Sequence, residues 1–124
     1  LEDAIAAYLA NPGAASGSFP YAAGLRWNLD LNATHGTRFS QLQVKQDNRW
    51  VALHATQIYR VITNDYIAAG QDGFTTFGTI DETRREPTYL HYAQALADYV
   101  RSGGSMARPV PDEMSTQQLI ERAH

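Results

Sequence analysis

The amino-acid sequence predicts an α+β domain in which helices pack on one side of a mixed or antiparallel sheet. Three observations lead there. Apolar residues recur at helical spacing in Leu1–Ala10 and again in Thr88–Arg101. They alternate at period two through Ala22–Leu31 and Arg38–Lys45. Between the second of these runs and Trp50-Val51-Ala52-Leu53 stands Asp47-Asn48, a pair suited to a tight hairpin. With 124 residues and 44% apolar content, the chain is long enough to bury one core and too short for two. It carries no internal repeat and no low-complexity tract.

The elements follow in order. In the first helix Leu1, Ile5, Tyr8 and Leu9 share one side, and Asn11-Pro12-Gly13 ends it. Ala14 to Ser18 is small and flexible, a linker into Phe19. Phe19 falls outside any periodic pattern, so its ring is either a plug over the core or a platform for a ligand. The strand Ala22–Leu31 sets Leu25, Trp27, Leu29 and Leu31 against Gly24, Arg26, Asn28 and Asp30. After a turn at Asn32–Thr37, Phe39, Gln41 and Gln43 alternate with Leu42 and Val44, and the hairpin returns the chain through Trp50. The long helix places Leu90, Ala93, Leu96, Ala97 and Val100 on one face, preceded by Pro87 and closed by Gly103-Gly104. Pro109–Glu113 is a loop, and Met114–His124 a short closing segment with Leu119 and Ile120 as its apolar contacts.

The most informative stretch is Tyr59–Phe77. Tyr59, Val61, Thr63 and Asp65 alternate with Arg60, Ile62, Asn64 and Tyr66, which predicts a strand fed by the meander before it. Gly70 and Gly73 then bracket Gln71-Asp72, a spacing that permits positive φ and close approach of the backbone to a neighbour. Phe74 and Phe77 follow at once. An aromatic delivered out of an Asp-Gly turn is held stiffly, as a ring facing a flat ligand must be, although from the residues alone a hairpin turn with two core phenylalanines is the favoured reading.

The segment Thr63-Asn64-Asp65-Tyr66-Ile67-Ala68-Ala69-Gly70-Gln71-Asp72-Gly73-Phe74 resembles the signature of the C-terminal domain of the 5'-nucleotidase family, two-domain metallophosphoesterases acting on nucleotides, UDP-sugars or NAD. A second match lies upstream at Gly17-Ser18-Phe19-Pro20-Tyr21-Ala22-Ala23-Gly24-Leu25-Arg26. The similarity extends over nearly the whole chain, with Gln71 standing where many members have glycine. The resemblance implies a 5'-nucleotidase C-terminal domain truncated at its N-terminal side, because strands that would carry ligand-touching arginines before Leu1 are missing. It further implies that Phe19 and Phe74 clamp a nucleobase across a cleft. Asp81, or failing that Asp72, would accept hydrogen bonds from the ribose, with Asn64 and Gly73 in the same site. Asp72 is expected to cap its own glycine-bounded turn. A divalent metal pair, Zn, Mn or similar, would sit in a separate N-terminal catalytic domain, and the protein would be periplasmic, extracellular or on the cell surface.

Composition narrows the alternatives independently. The formal charge is −3, from 13 acidic and 10 basic side chains with no basic stripe, which argues against a nucleic-acid polymer as partner. There is no cysteine, which excludes disulfides and thiolate chemistry. No apolar run reaches the length of a membrane span and no signal peptide opens the chain. Because the first residue is Leu1 rather than Met, a processed piece is expected. His35, His54, His91 and His124 stand alone, outside any grouping that would hold two metals. Asp81-Glu82 followed by Arg84-Arg85 reads as a solvated turn as well as a carboxylate pair, and Asn32-Ala33-Thr34 matches the N-glycosylation pattern. On the strength of the resemblance, the chain is expected to be a non-catalytic domain that binds the base and ribose of a nucleotide for a hydrolase. A non-enzymatic interaction or carbohydrate-binding module is the alternative, and a self-contained hydrolase lacks a catalytic group.

Overall fold

The structure, a computed structural model, describes residues 1–12 and 16–122. Gly13, part of the expected linker and the lone His124 lie outside the described residues. The first helix, α1, spans Glu2–Ala10. A four-stranded sheet follows, built from β1 (Leu25–Asp30), β2 (Phe39–Gln46), β3 (Arg49–Ala52) and β4 (Thr116–Ile120) in the spatial order β3-β2-β1-β4. The β1–β2 and β2–β3 pairs are antiparallel, whereas β4 runs parallel to β1. The α+β expectation with a mixed sheet therefore holds, and β4 supplies the parallel member.

The core lies where α1 meets one face of this sheet. Ile5 of α1 packs with Trp27, Leu29 and Leu31, all buried, and Leu1, Tyr8, Leu9, Phe19, Leu25, Phe39 and Leu42 close around them. Phe39 and Leu42 both reach this core although their three-residue separation should send them to opposite faces. The reason is a bulge: Gln41 adopts φ +52 and the β1–β2 register shifts between Arg26 and Asn28. Simple alternation through Phe39, Gln41 and Gln43 is thus corrected. The Asp47-Asn48 hairpin forms as expected, with both residues at positive φ.

The other face of the sheet is polar and cross-linked. The Arg26 guanidinium lies 4.4 Å from the Trp50 ring centre, donates to Gln43 Oε1 at 2.8 Å and pairs with Asp112. Lys45 Nζ meets Glu113 Oε1 at 2.5 Å, and Trp50 Nε1 donates to Asp112 at 3.2 Å. These contacts hold the single turn Pro111–Glu113 against the sheet immediately before β4, which sets the strand beside β1.

The largest departure from expectation concerns Tyr59–Tyr66. This run is not a strand: the chain leaves the sheet after Ala52, crosses residues 53–64 without helix or strand, and forms the short helix α2 at Asp65–Ala68. Its alternating residues have no face to bury, since Val61 and Ile62 are both exposed. Asn64, an N-capping residue type, starts a helix where the alternation predicted more strand. A second short helix, α3, covers Thr75–Gly78, and α4 covers Tyr92–Arg101, beginning four residues later than Thr88. Tyr89 at φ +55 is incompatible with an earlier start. The apolar face of α4 is exposed, with Leu96 at 52% and Val100 at 45% accessibility, so it does not pack on the sheet.

Candidate functional site

Helix α1 is the surface on which the second glycine loop lands. Gly73 sits over its second turn at φ +82, and a Cβ there would stand 2.7 Å from Ala7 Cβ and 3.0 Å from the Asp3 carbonyl oxygen. Only glycine tolerates both the conformation and the approach. Gly17 of the upstream loop faces Asp72, whose carboxylate would overlap any Cβ placed at Gly17. The two segments singled out in the sequence thereby meet in space, at Gly17 and Asp72.

A second anchor lies one turn earlier on α1. Asp3 Oδ2 accepts from Thr75 Oγ1 at 2.7 Å, and Asp3 Oδ1 lies 2.8 Å from His35 Nε2. The Thr75 hydroxyl, and after it His35, holds the Asp3 carboxyl below the usual carboxylate range. Thr75 directly follows Phe74, whose ring stacks on Phe77 with centroids 6.2 Å apart and planes 18° from parallel. Leu1, Asp3, Gly73, Phe74, Thr76 and Phe77 line a shallow recess of about 130 Å³ beside these rings.

Phe19 is half-buried, edge-on to Tyr8 at 5.2 Å and tilted against the exposed Tyr21 at 5.3 Å. Its ring therefore joins the core through Tyr8 and the surface through Tyr21, while Phe74 has Phe77 as its aromatic neighbour. Asp81 is exposed, and its Oδ1 accepts from Thr83 N at 2.8 Å and Thr83 Oγ1 at 2.6 Å. These bonds, led by the hydroxyl, lower the Asp81 pKa. The local capping expected of Asp72 is thus seen at Asp81, while the Asp72 carboxylate turns toward Gly17. Asn64 Oδ1 accepts from Ile67 N at 2.8 Å and caps α2. Gln71 keeps a negative φ, so its side chain is accommodated between the two glycines.

Sequence reasoning gave no place in the site to Asp3, Thr75, Phe77 or Arg85. Arg85 donates to the carbonyl oxygens of Phe77 at 2.8 Å and Ile80 at 3.1 Å, closing the end of α3. Phe77 was legible from its three-residue spacing after Phe74; the Asp3 contact, 72 positions long, left no local signal. Among the described residues no three His, Asp or Glu side chains converge as metal ligands.

Residues 1–79 match the family model of the 5'-nucleotidase C-terminal domain. The chain is 39% identical over 105 residues to a probable 5'-nucleotidase of Treponema pallidum, covering 82% of this chain and 17% of that protein. It is 35% identical over 108 residues to an NAD 5'-nucleotidase of Haemophilus influenzae, with the same coverage of 82% and 17%. A trifunctional nucleotide phosphoesterase of Bacillus subtilis is 32% identical over 78 residues, 62% of this chain and 5% of that protein. The chain thus spans 17% of the length of each of the first two relatives. No solved structure matches.

Proposed function

Since the chain belongs to the 5'-nucleotidase family, through the C-terminal domain of that family, we propose that it recognises the base and ribose of a nucleotide for a hydrolase whose metal centre lies in another domain. Phe19 and Phe74 stack on the base, and Asp81 or Asp72 accepts from the ribose. Asn64 and Gly73 shape the second loop. The observation that carries this reading is the meeting of the two aromatic loops beside α1, where Gly17 abuts Asp72 and Gly73 abuts Ala7. Stacking on one ring contributes roughly 1 to 3 kcal/mol per base and tolerates different bases, so affinity of the isolated chain falls in about the micromolar-to-millimolar range.

The same reading makes residues 1–124 part of a specificity domain, without phosphatase activity of its own, in a protein acting outside the cytoplasm. The names of the relatives support nucleotides, with NAD among them, as the substrate class. The partner domain would hold a divalent metal pair such as Zn or Mn.

Calorimetric titration of the chain with AMP, 2',3'-dideoxy-AMP and glucose tests the proposal. AMP should bind, the dideoxy analogue should bind at least about fivefold more weakly, and glucose should give no heat. Phe74→Ala should weaken both nucleotides alike, whereas Asp81→Asn should weaken AMP selectively. Binding of glucose with no response to AMP would favour the carbohydrate module instead.

A further inference from the structure

Asp3 lies on α1, yet both of its carboxylate oxygens are engaged by side chains from other segments. Thr75 Oγ1 donates to Oδ2 at 2.7 Å, and His35 Nε2 lies 2.8 Å from Oδ1. An acid in the first turn of a helix has an ordinary role in offsetting the helix dipole, but that role requires neither partner. Thr75 is the first residue of α3 and follows Phe74, so its hydroxyl is tied to α1 one peptide away from the ring. The short helix α3 has no buried residue to fix it by packing. Gly73 settles the residue before Phe74 on Ala7 and Asp3, while Arg85 holds the main chain at Phe77.

We propose that Asp3 is the positioning residue of the Phe74 platform: its carboxylate, divided between Thr75 and His35, sets the pitch of the Phe74 ring against α1 and thereby the affinity for a stacked nucleobase. The ligand half of this statement rests on the nucleotide reading above; the positioning half does not. One hydrogen bond is lost in Thr75→Val and weakened in Asp3→Asn, which corresponds to about a fivefold loss of AMP affinity for each variant.

The sequence has four phenylalanines, so the chain labelled with ¹³C at phenylalanine gives a readable aromatic spectrum. Ring signals of Phe74 and Phe77 are compared in the ligand-free wild type, Asp3→Asn, Thr75→Val and Thr75→Ser, followed by titration with AMP. In Asp3→Asn and Thr75→Val both rings should shift while Phe39, in the core, stays in place, and AMP affinity should fall about fivefold. Thr75→Ser, which keeps the hydroxyl, should restore both signals and affinity. Unmoved Phe74 and Phe77 signals in Thr75→Val would overturn the positioning role, as would shifts that Thr75→Ser fails to rescue. If Asp3→Asn unfolds, the exposed Thr75 pair still decides. Absence of any AMP response in the wild type would remove the nucleotide reading, and the ligand-free ring shifts would still decide whether Asp3 sets Phe74.

Discussion

Gly17 and Gly73 both lack a Cβ where one would collide, but what they would strike differs. At Gly17 the obstacle is the end of the Asp72 side chain, which rotates away; at Gly73 it is the α1 main chain and Ala7, and φ is +82. Gly73→Ala should therefore cost about 1 to 3 kcal/mol of stability and Gly17→Ala about 1 kcal/mol or less, measured by urea denaturation. A larger loss at Gly17 would show that the Asp72 side chain is locked. Asp3 gives a pH dependence with a definite sign. Its carboxyl is lowered from 3.8 in the folded chain, so the stabilisation is present above that value and is lost as pH falls through the lower folded pKa. Amide exchange in residues 73–78 should accelerate over that window, and Asp3→Asn should remove the dependence. The glycines and aromatics of the site were legible because each has a local conformational meaning. The Asp3 link was not, since a contact between residues 3 and 75 leaves no spacing to read.

At the level of elements, α1 and α4 both carry apolar residues at helical spacing and meet opposite fates. Ile5 is fully buried, whereas Leu96 is 52% exposed. Leu29→Ala should destabilise the chain by about 2 to 5 kcal/mol, and Leu96→Ala by about 0.5 kcal/mol or less. Equal losses would mean that α4 packs on a surface in solution. Periodicity revealed α1 and β1 because each buries the face it predicts, and the turn chemistry of Asp47-Asn48 revealed the hairpin. It misled at Tyr59–Tyr66, where alternating side chains meet no sheet and the Asn64 cap starts a helix. The Gln41 bulge escaped for a related reason: one inserted residue reverses the faces without changing composition. Strand β4 reads weakly because Leu119 and Ile120 are exposed at the sheet edge.

Across the whole molecule, the sheet joins the beginning of the chain to its end. Trp27 N donates to Ser115 O at 2.8 Å, and the Asn28 and Gln118 side chains bond across 90 positions. The β1–β2–β3 meander can assemble from local pairs, but β4 must close a long loop before it gains its partner. Folding should therefore proceed in two stages in time. Stopped-flow refolding should show early formation of the meander, followed by a slower phase in which the fluorescence of buried Trp27 reaches its native value. A chain ending at Met114 should retain the early phase and lose the slow one. During synthesis the half-finished sheet waits with β1 unpaired along one edge while the intervening residues emerge, and in that interval it is open to pairing with another nascent chain.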